Sequence, residues 1–285
     1  MLTETGSSHS LELNDMKYGI IGGVKTYTSL PQDADPLINL NHAIHWVLSQ
    51  EAYSSQPRIE IDGWELLPEL SASDRLVYFQ GNVGIFAYRG SVDSKDAVND
   101  IQIAKGIAPT KSRIELLHVQ WCLQEYPNLV IQTTGHSLGG TVARIVGLAL
   151  NLPCVTFNAG APPTAPVING SNEIDYHIVF DVISAWQNPR TIRIDKGYRP
   201  RKIPRFIGIG VSYFFAASVA KPFLEAHAIS NFGNKKRGII VSGEYENNIF
   251  QMWYKGLPRI FKTLFLKFID VNGLGNLKNL PEIQG

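Results

Sequence analysis

The sequence predicts an α/β fold, with a mostly parallel central sheet and helices on both faces. Two observations predict it. Short apolar, β-branched runs alternate with helical stretches of 10 to 15 residues from about residue 75 onward, the pattern of strands joined by crossover helices. In the middle of that alternation, "NLVIQTTG" (128–135) runs through Gly-x-Ser-x-Gly into "LGGTVARIVGLALNL", a strand, a tight glycine-flanked turn and a helix in succession. The chain has 285 residues, 44% of them hydrophobic, enough for one sizeable core, so the expectation is a single domain over 16–285.

Taken in order, residues 1–15 ("MLTETGSSHSLELND") carry neither an apolar run nor an early cation. They read as a disordered tail and not as a secretory leader. "DPLINLNHAIHWVLSQEAY" predicts a helix from about residue 37; His42 and His45 share one of its faces, without the further ligands a metal would need. "RLVYFQG" (75–81) and "VGIFAYRG" (83–90) read as strands of a tight hairpin turning at Gly81 and Asn82. "SKDAVNDIQIA" and "SRIELLHVQWCLQEYP" read as helical, the second ending at Pro127. Asp93, Asp96 and Asp100 along the first are explained by exposed carboxylates in a first turn rather than by calcium. "CVTFNAG", "YHIVFDVIS" and "TIRID" are the remaining strands. Cys122 and Cys154 sit in apolar surroundings and read as free buried thiols.

Charge is uneven. Residues 1–100 carry 6 Lys+Arg against 14 Asp+Glu. Between Arg190 and Arg205 seven cations are opposed by Asp195 alone. That cluster reads as a solvated face or as an attraction to anionic lipid headgroups. No nucleic-acid-binding motif accompanies it, which argues against that class of partner. The apolar run "FIGIGVSYFFAASVA" (206–220) follows within a basic and then apolar insertion at about 196–226. It falls short of the roughly 18 residues of a membrane span, and reads as lid, acyl pocket or membrane contact. "PRIFKTLFLKFIDV" (258–271) predicts a C-terminal amphipathic helix. With neither leader nor span, a cytoplasmic or peripheral membrane location is expected.

Ser137, between Gly135 and Gly139, becomes a nucleophile only if a base can remove its proton and a carboxylate can orient that base. On such an elbow both partners follow the serine in the chain. Of the two downstream histidines, His177 is embedded in an apolar strand with Asp175 two positions away, a poor geometry for reaching Ser137. His227 in "HAISNF" is the better base. For the acid, Asp181 directly follows "YHIVF" at a strand's carboxyl end and is favoured over Asp195, whose neighbour Lys196 could occupy it as an ion pair. The amide of Leu138 is one oxyanion donor by construction. The second is expected from Ser91, at the end of "AYRGS".

Together, "AYRGS", the acidic helix "DAVNDIQIA", "GHSLGG", "FNAGAPP", "HIVFDVIS" and "HAISNF", in that order over roughly residues 75–232, resemble the class 3, fungal-type lipase family of the α/β-hydrolase fold. The resemblance implies Ser137, Asp181 and His227 as a catalytic triad and Ser91 with Leu138 as the oxyanion hole. It implies a serine acyl hydrolase, lipase or phospholipase, cleaving carboxylic esters of lipids without a cofactor. Two alternatives remain: an esterase on soluble esters, and a catalytically silent lipid-binding protein on the same scaffold.

Overall fold

The computed structural model describes residues 18–21, 24–27, 29–91, 109–160, 172–179, 181, 191–198 and 225–242. The tail, the aspartates at 93, 96 and 100, the run 206–220, the stretch 258–271 and the cations at 190, 199, 201, 202 and 205 lie outside them.

Two strands, β1 (Tyr18–Ile21) and β2 (Val24–Tyr27), pair as a separate antiparallel hairpin. The main sheet contains β3 (Glu60–Ile61), β4 (Trp64–Leu66), β5 (Arg75–Gln80), β6 (Val83–Tyr88), β7 (Val130–His136), β8 (Cys154–Phe157), β9 (Glu173–Ile178), β10 (Thr191–Asp195) and β11 (Ile239–Val241), adjacent in chain order. β6 to β10 run parallel. The pairings of β3, β4 and β5 on one flank and β11 on the other are antiparallel. The sheet is therefore mixed: its five central strands are parallel, as expected of an α/β fold, and its flanks add antiparallel strands. On the flank of β3 to β5 the strands turn back through short connections, as at Gly81 and Asn82, and a short connection can only join antiparallel neighbours; β11 reaches the other edge after the long segment that follows Asp195.

Helix α1 (Ala43–Glu51) covers one face of the sheet; α2 (Thr110–Glu125) and α3 (Leu138–Leu150) cover the other. Alternation along the strands supplies both cores: Phe86 and Tyr88 point to α2 and α3, while Ile85 and Ala87 point to α1. The first helix begins later than its apolar spacing predicts. Asp35 accepts from the Leu37 amide and Asn39 from the Asn41 amide, so these side chains hold local turns and a 3₁₀ segment over Leu40–His42 before α1 starts. Strand β9 likewise runs from Glu173 to Ile178 and stops before Val179, which the sequence reading includes.

Buried ion pairs tie distant segments together. Arg75 reaches Glu115 at 2.6 Å, joining β5 to α2, and Arg144 of α3 meets Glu173 of β9. Lys196 pairs with Asp35, both fully buried. Lys196 therefore belongs to the interior and not to a solvated basic face, and its partner is Asp35 rather than Asp195. The Asp195 carboxylate accepts instead from the Gly197 amide at 2.7 Å. Cys122 and Cys154 are buried and free, their thiols pushed up by burial to about 11 and about 12. His42 and His45 are spent on Tyr176 and Gln132 at 2.9 and 2.8 Å. Among the described residues no cluster of His, Cys, Asp or Glu could hold a metal ion, and no helix is long and apolar enough to cross a membrane.

Candidate active site

The centre of the site is the junction of β7 and α3. Ser137 sits there with φ 58° and ψ −128°, a backbone conformation that a side-chain-bearing residue adopts only when its surroundings force it. What forces it is the closeness of strand and helix. A Cβ built on Gly139 would lie 2.1 Å from the Tyr88 carbonyl oxygen, so only glycine lets α3 start against the end of β6. The Ser137 carbonyl accepts from Thr141 at 3.0 Å and from Gly160 at 3.3 Å, which fixes the turn from both sides. The first amides of α3, Leu138 foremost, have no acceptor within the helix and present the positive end of its dipole beside the serine hydroxyl.

Asp181 lies just beyond β9. Its amide bonds back to the Ile178 carbonyl at 2.9 Å, turning the chain as it leaves the strand. The Asp181 side chain is fully buried. His227 comes from the segment after Glu225, anchored by Ala226 and Phe232 in the core on the α1 face, where Phe232 packs edge-on against Phe157.

These three side chains meet. His227 Nδ1 is 2.8 Å from Asp181 Oδ2, and His227 Nε2 is 2.7 Å from Ser137 Oγ. A carboxylate only accepts, so Nδ1 carries the proton; Nε2 is then the bare nitrogen and accepts from the serine hydroxyl. His227 stays partly open to solvent while Asp181 is sealed beneath it. Chemically the arrangement can deprotonate Ser137 and hold the resulting imidazolium against a buried carboxylate.

The other expectations fall as follows. Ser91 closes the connection after β6, one residue past Gly90, whose own Cβ position would be 3.2 Å from Ser137 Cβ. His177 is fully buried in β9, and Asp195, at the end of β10, is engaged with Gly197; neither takes part in the Ser137–His227–Asp181 chain.

Sequence reasoning passed over three residues beside this site. His136, the variable residue in Gly-His-Ser-Leu-Gly, lies against His227, with ring centroids 4.9 Å apart. Burial first, and then the nearby His227, lower its pKa to about 3. Asn158, within "FNAG", is fully buried and holds a left-handed φ of 47°. Tyr53, at the end of α1, hydrogen-bonds to His136. Both motifs that contain His136 and Asn158 were visible, but nothing in their spacing says which side chain turns toward a histidine some seventy to ninety residues away.

The sequence matches no family model and no curated protein. Among solved structures the chain is similar to the Lip2 lipase of Yarrowia lipolytica, with 14% identity over 62% of this chain and 84% of that one and a TM-score of 0.35. It is also similar to a Rhizomucor miehei lipase in complex with its propeptide, with 13% identity over 66% and 78% and a TM-score of 0.39. A lipase from Rhizopus microsporus var. chinensis matches with 13% identity over 58% and 78% and a TM-score of 0.34.

Proposed function

We propose that the chain is a serine acyl hydrolase that cleaves carboxylic esters of lipids through an acyl-enzyme. The observation that carries this reading is the continuous hydrogen-bond chain Ser137–His227–Asp181, at 2.7 and 2.8 Å, built on a strained elbow at the carboxyl end of a central parallel strand. Structural serines have no need of a positive φ or of a base already within reach.

In this reading His227 Nε2 takes the proton of Ser137 as Oγ attacks the ester carbonyl carbon. The oxyanion that forms rests on the amides of Leu138 and Ser91. Collapse breaks the bond to the alcohol, which leaves with the proton from His227. Water then attacks the acyl-enzyme, gives its proton to His227, and the carboxylic acid departs as the proton returns to Ser137. Asp181 holds the imidazole in the tautomer this cycle needs and offsets its positive charge. Lipid as the ester class is drawn from the sequence resemblance; reversible docking on anionic membrane through the cations of 190–205 and the apolar runs 206–220 and 258–271 is drawn from their charge and apolar patterning. Lys196, already buried with Asp35, contributes nothing to that docking.

Incubation with a mixed lipid extract, followed by mass spectrometry, should release fatty acids or a lysolipid. Turnover should rise sharply above the substrate's aggregation threshold. A smooth rate with soluble esters alone would move the reading to an esterase. Failure of a fluorophosphonate to label Ser137 would leave a non-catalytic lipid binder. For docking, sedimentation with anionic vesicles should weaken with salt and survive Ser137→Ala; absence of binding at low salt would remove the membrane contact.

A further inference from the structure

His227 is the last residue of the helical stretch 225–227, just before the 3₁₀ segment Ile229–Phe232, and its imidazole must stay within hydrogen-bond reach of two atoms at once. The contacts that fix its backbone are made to its own carbonyl oxygen. His136 Nε2 lies 2.7 Å from that oxygen and Asn158 Nδ2 lies 3.1 Å from it. A carbonyl only accepts, so His136 carries its proton on Nε2, and its Nδ1 is left to accept from the Tyr53 hydroxyl at 2.8 Å. The path is continuous: Tyr53 sets the His136 ring, and the His136 ring donates to the main chain of the base.

Asn158 closes the arrangement from the other side. Its amide donates to the carbonyls of both Ala226 and His227, at 3.0 and 3.1 Å. Its side-chain oxygen accepts from the Ile178 amide at 2.8 Å, three residues before Asp181. One buried side chain thus joins the strand that delivers the carboxylate to the segment that delivers the imidazole. His136 does the same for the nucleophile, being its immediate neighbour in the chain. Room for Tyr53 depends on Gly90, where a Cβ would come within 2.1 Å of the phenol oxygen.

We propose that His136 and Asn158 are positioning residues that grip the His227 carbonyl from both sides, so that its imidazole spans Asp181 and Ser137. This rests on the reading of those three residues as a triad. Neither positioning residue touches the reacting atoms; each acts through the backbone of the base, where a displacement of about 1 Å can cost on the order of a hundredfold in rate.

The test uses the full chain, a fluorophosphonate as probe of Ser137 and a soluble short-chain ester as substrate. His136→Phe keeps a ring and loses both hydrogen bonds. In the folded fraction, verified by thermal melting, kcat should fall about ten- to a hundredfold with KM changed less than about twofold, and labelling should slow by the same factor. His136→Gln, which can still donate to the carbonyl, should recover most of the loss. Tyr53→Phe removes only a hydroxyl and carries the test if His136→Phe does not fold; kcat should fall about three- to tenfold at unchanged KM. Folded His136→Phe or Tyr53→Phe with wild-type labelling and kcat would overturn the proposal alone. A wild-type chain that is not labelled at Ser137 would overturn the hydrolase reading and the positioning roles with it.

Discussion

Ser137 and His227, the proposed nucleophile and its proposed base, are held in place by opposite means. Ser137 is fixed locally: β7, the turn and α3 are contiguous, and the close approach of Gly139 to Tyr88 locks the angle between them. His227 is fixed from afar. Its carbonyl is held by residues 91 and 69 positions away, and its segment is bound to Asp33 and Asp35, near the other end of the fold. A local device survives as long as its own few residues do, whereas a remote one depends on every segment that reaches it. The contrast makes predictions that differ for the two halves of the site.

The largest effect is expected at the nucleophile. Ser137→Ala should lower kcat by roughly 10⁶-fold and leave the melting temperature in place. Adding His227→Ala should cost little more, because triad members act as a unit; independent losses would separate base from nucleophile. For the acid, Asp181→Asn should lower kcat by about 10⁴-fold through the wrong imidazole tautomer. Asp195→Asn, whose carboxylate serves the Gly197 amide, should leave kcat near wild type, and the reverse ranking would exchange their roles.

Next in size is the remote anchor. Asp35→Asn leaves Lys196 buried without its counter-charge, a loss of about 3–5 kcal/mol. In a urea titration of this variant, ester turnover should vanish before the fluorescence transition, because the base segment detaches while the elbow persists. Coincident transitions would mean that the two halves of the site melt as one. Gly139→Ala attacks the local device instead, forcing a Cβ against the Tyr88 carbonyl. It should cost about 1–3 kcal/mol and remove turnover in the chain that remains folded, with the unfolding transition still single.

The smallest effect is on stability against pH. His136 has its pKa depressed from an ordinary 6.5 to about 3, and His45 to about 4, both chiefly by burial. For each, the unfolded chain takes up the proton first, so the stability present above about pH 6.5 is lost as pH falls toward those values. Asp175, raised by burial from 3.8 to about 6, has the opposite sign: its contribution is present below 3.8 and lost as pH rises through 6. Between about pH 6 and 4 the two histidines outweigh the one aspartate by a single proton, about 1.4 kcal/mol per pH unit. His136→Gln should flatten that slope by one proton in denaturant titrations at several pH values.

The same division explains what could be read from the sequence. The hairpin of β5 and β6, the strand and helix around Ser137, and the runs of β8 and β10 were legible because apolar period and turn residues are local signals. The meeting of Ser137 with His227 and Asp181 was anticipated from the order of motifs, without any signal for distance. The start of α1 was hidden by the Asp35 and Asn39 turns, which periodicity does not register. The antiparallel flanks were hidden because β3, β4 and β11 have only two or three residues each. Lys196 was misjudged for a related reason. A cation in a basic run looks solvated until the chain brings Asp35 to it, and no window of sequence spans that separation.

The link between residues 33–35 and 232–234 has a consequence in time as well as in space. Asp35 donates its amide to Phe232, Ala34 bridges Gly233, and Asn234 donates to Asp33, contacts about two hundred residues apart, which a growing chain forms late. During synthesis the elbow and its serine emerge long before the segment that carries the imidazole. A half-made chain can thus present a finished turn with an inert hydroxyl. In that sense the molecule would be its own safety catch: the hydrolysis proposed for it is withheld until the two ends of the described fold have found each other.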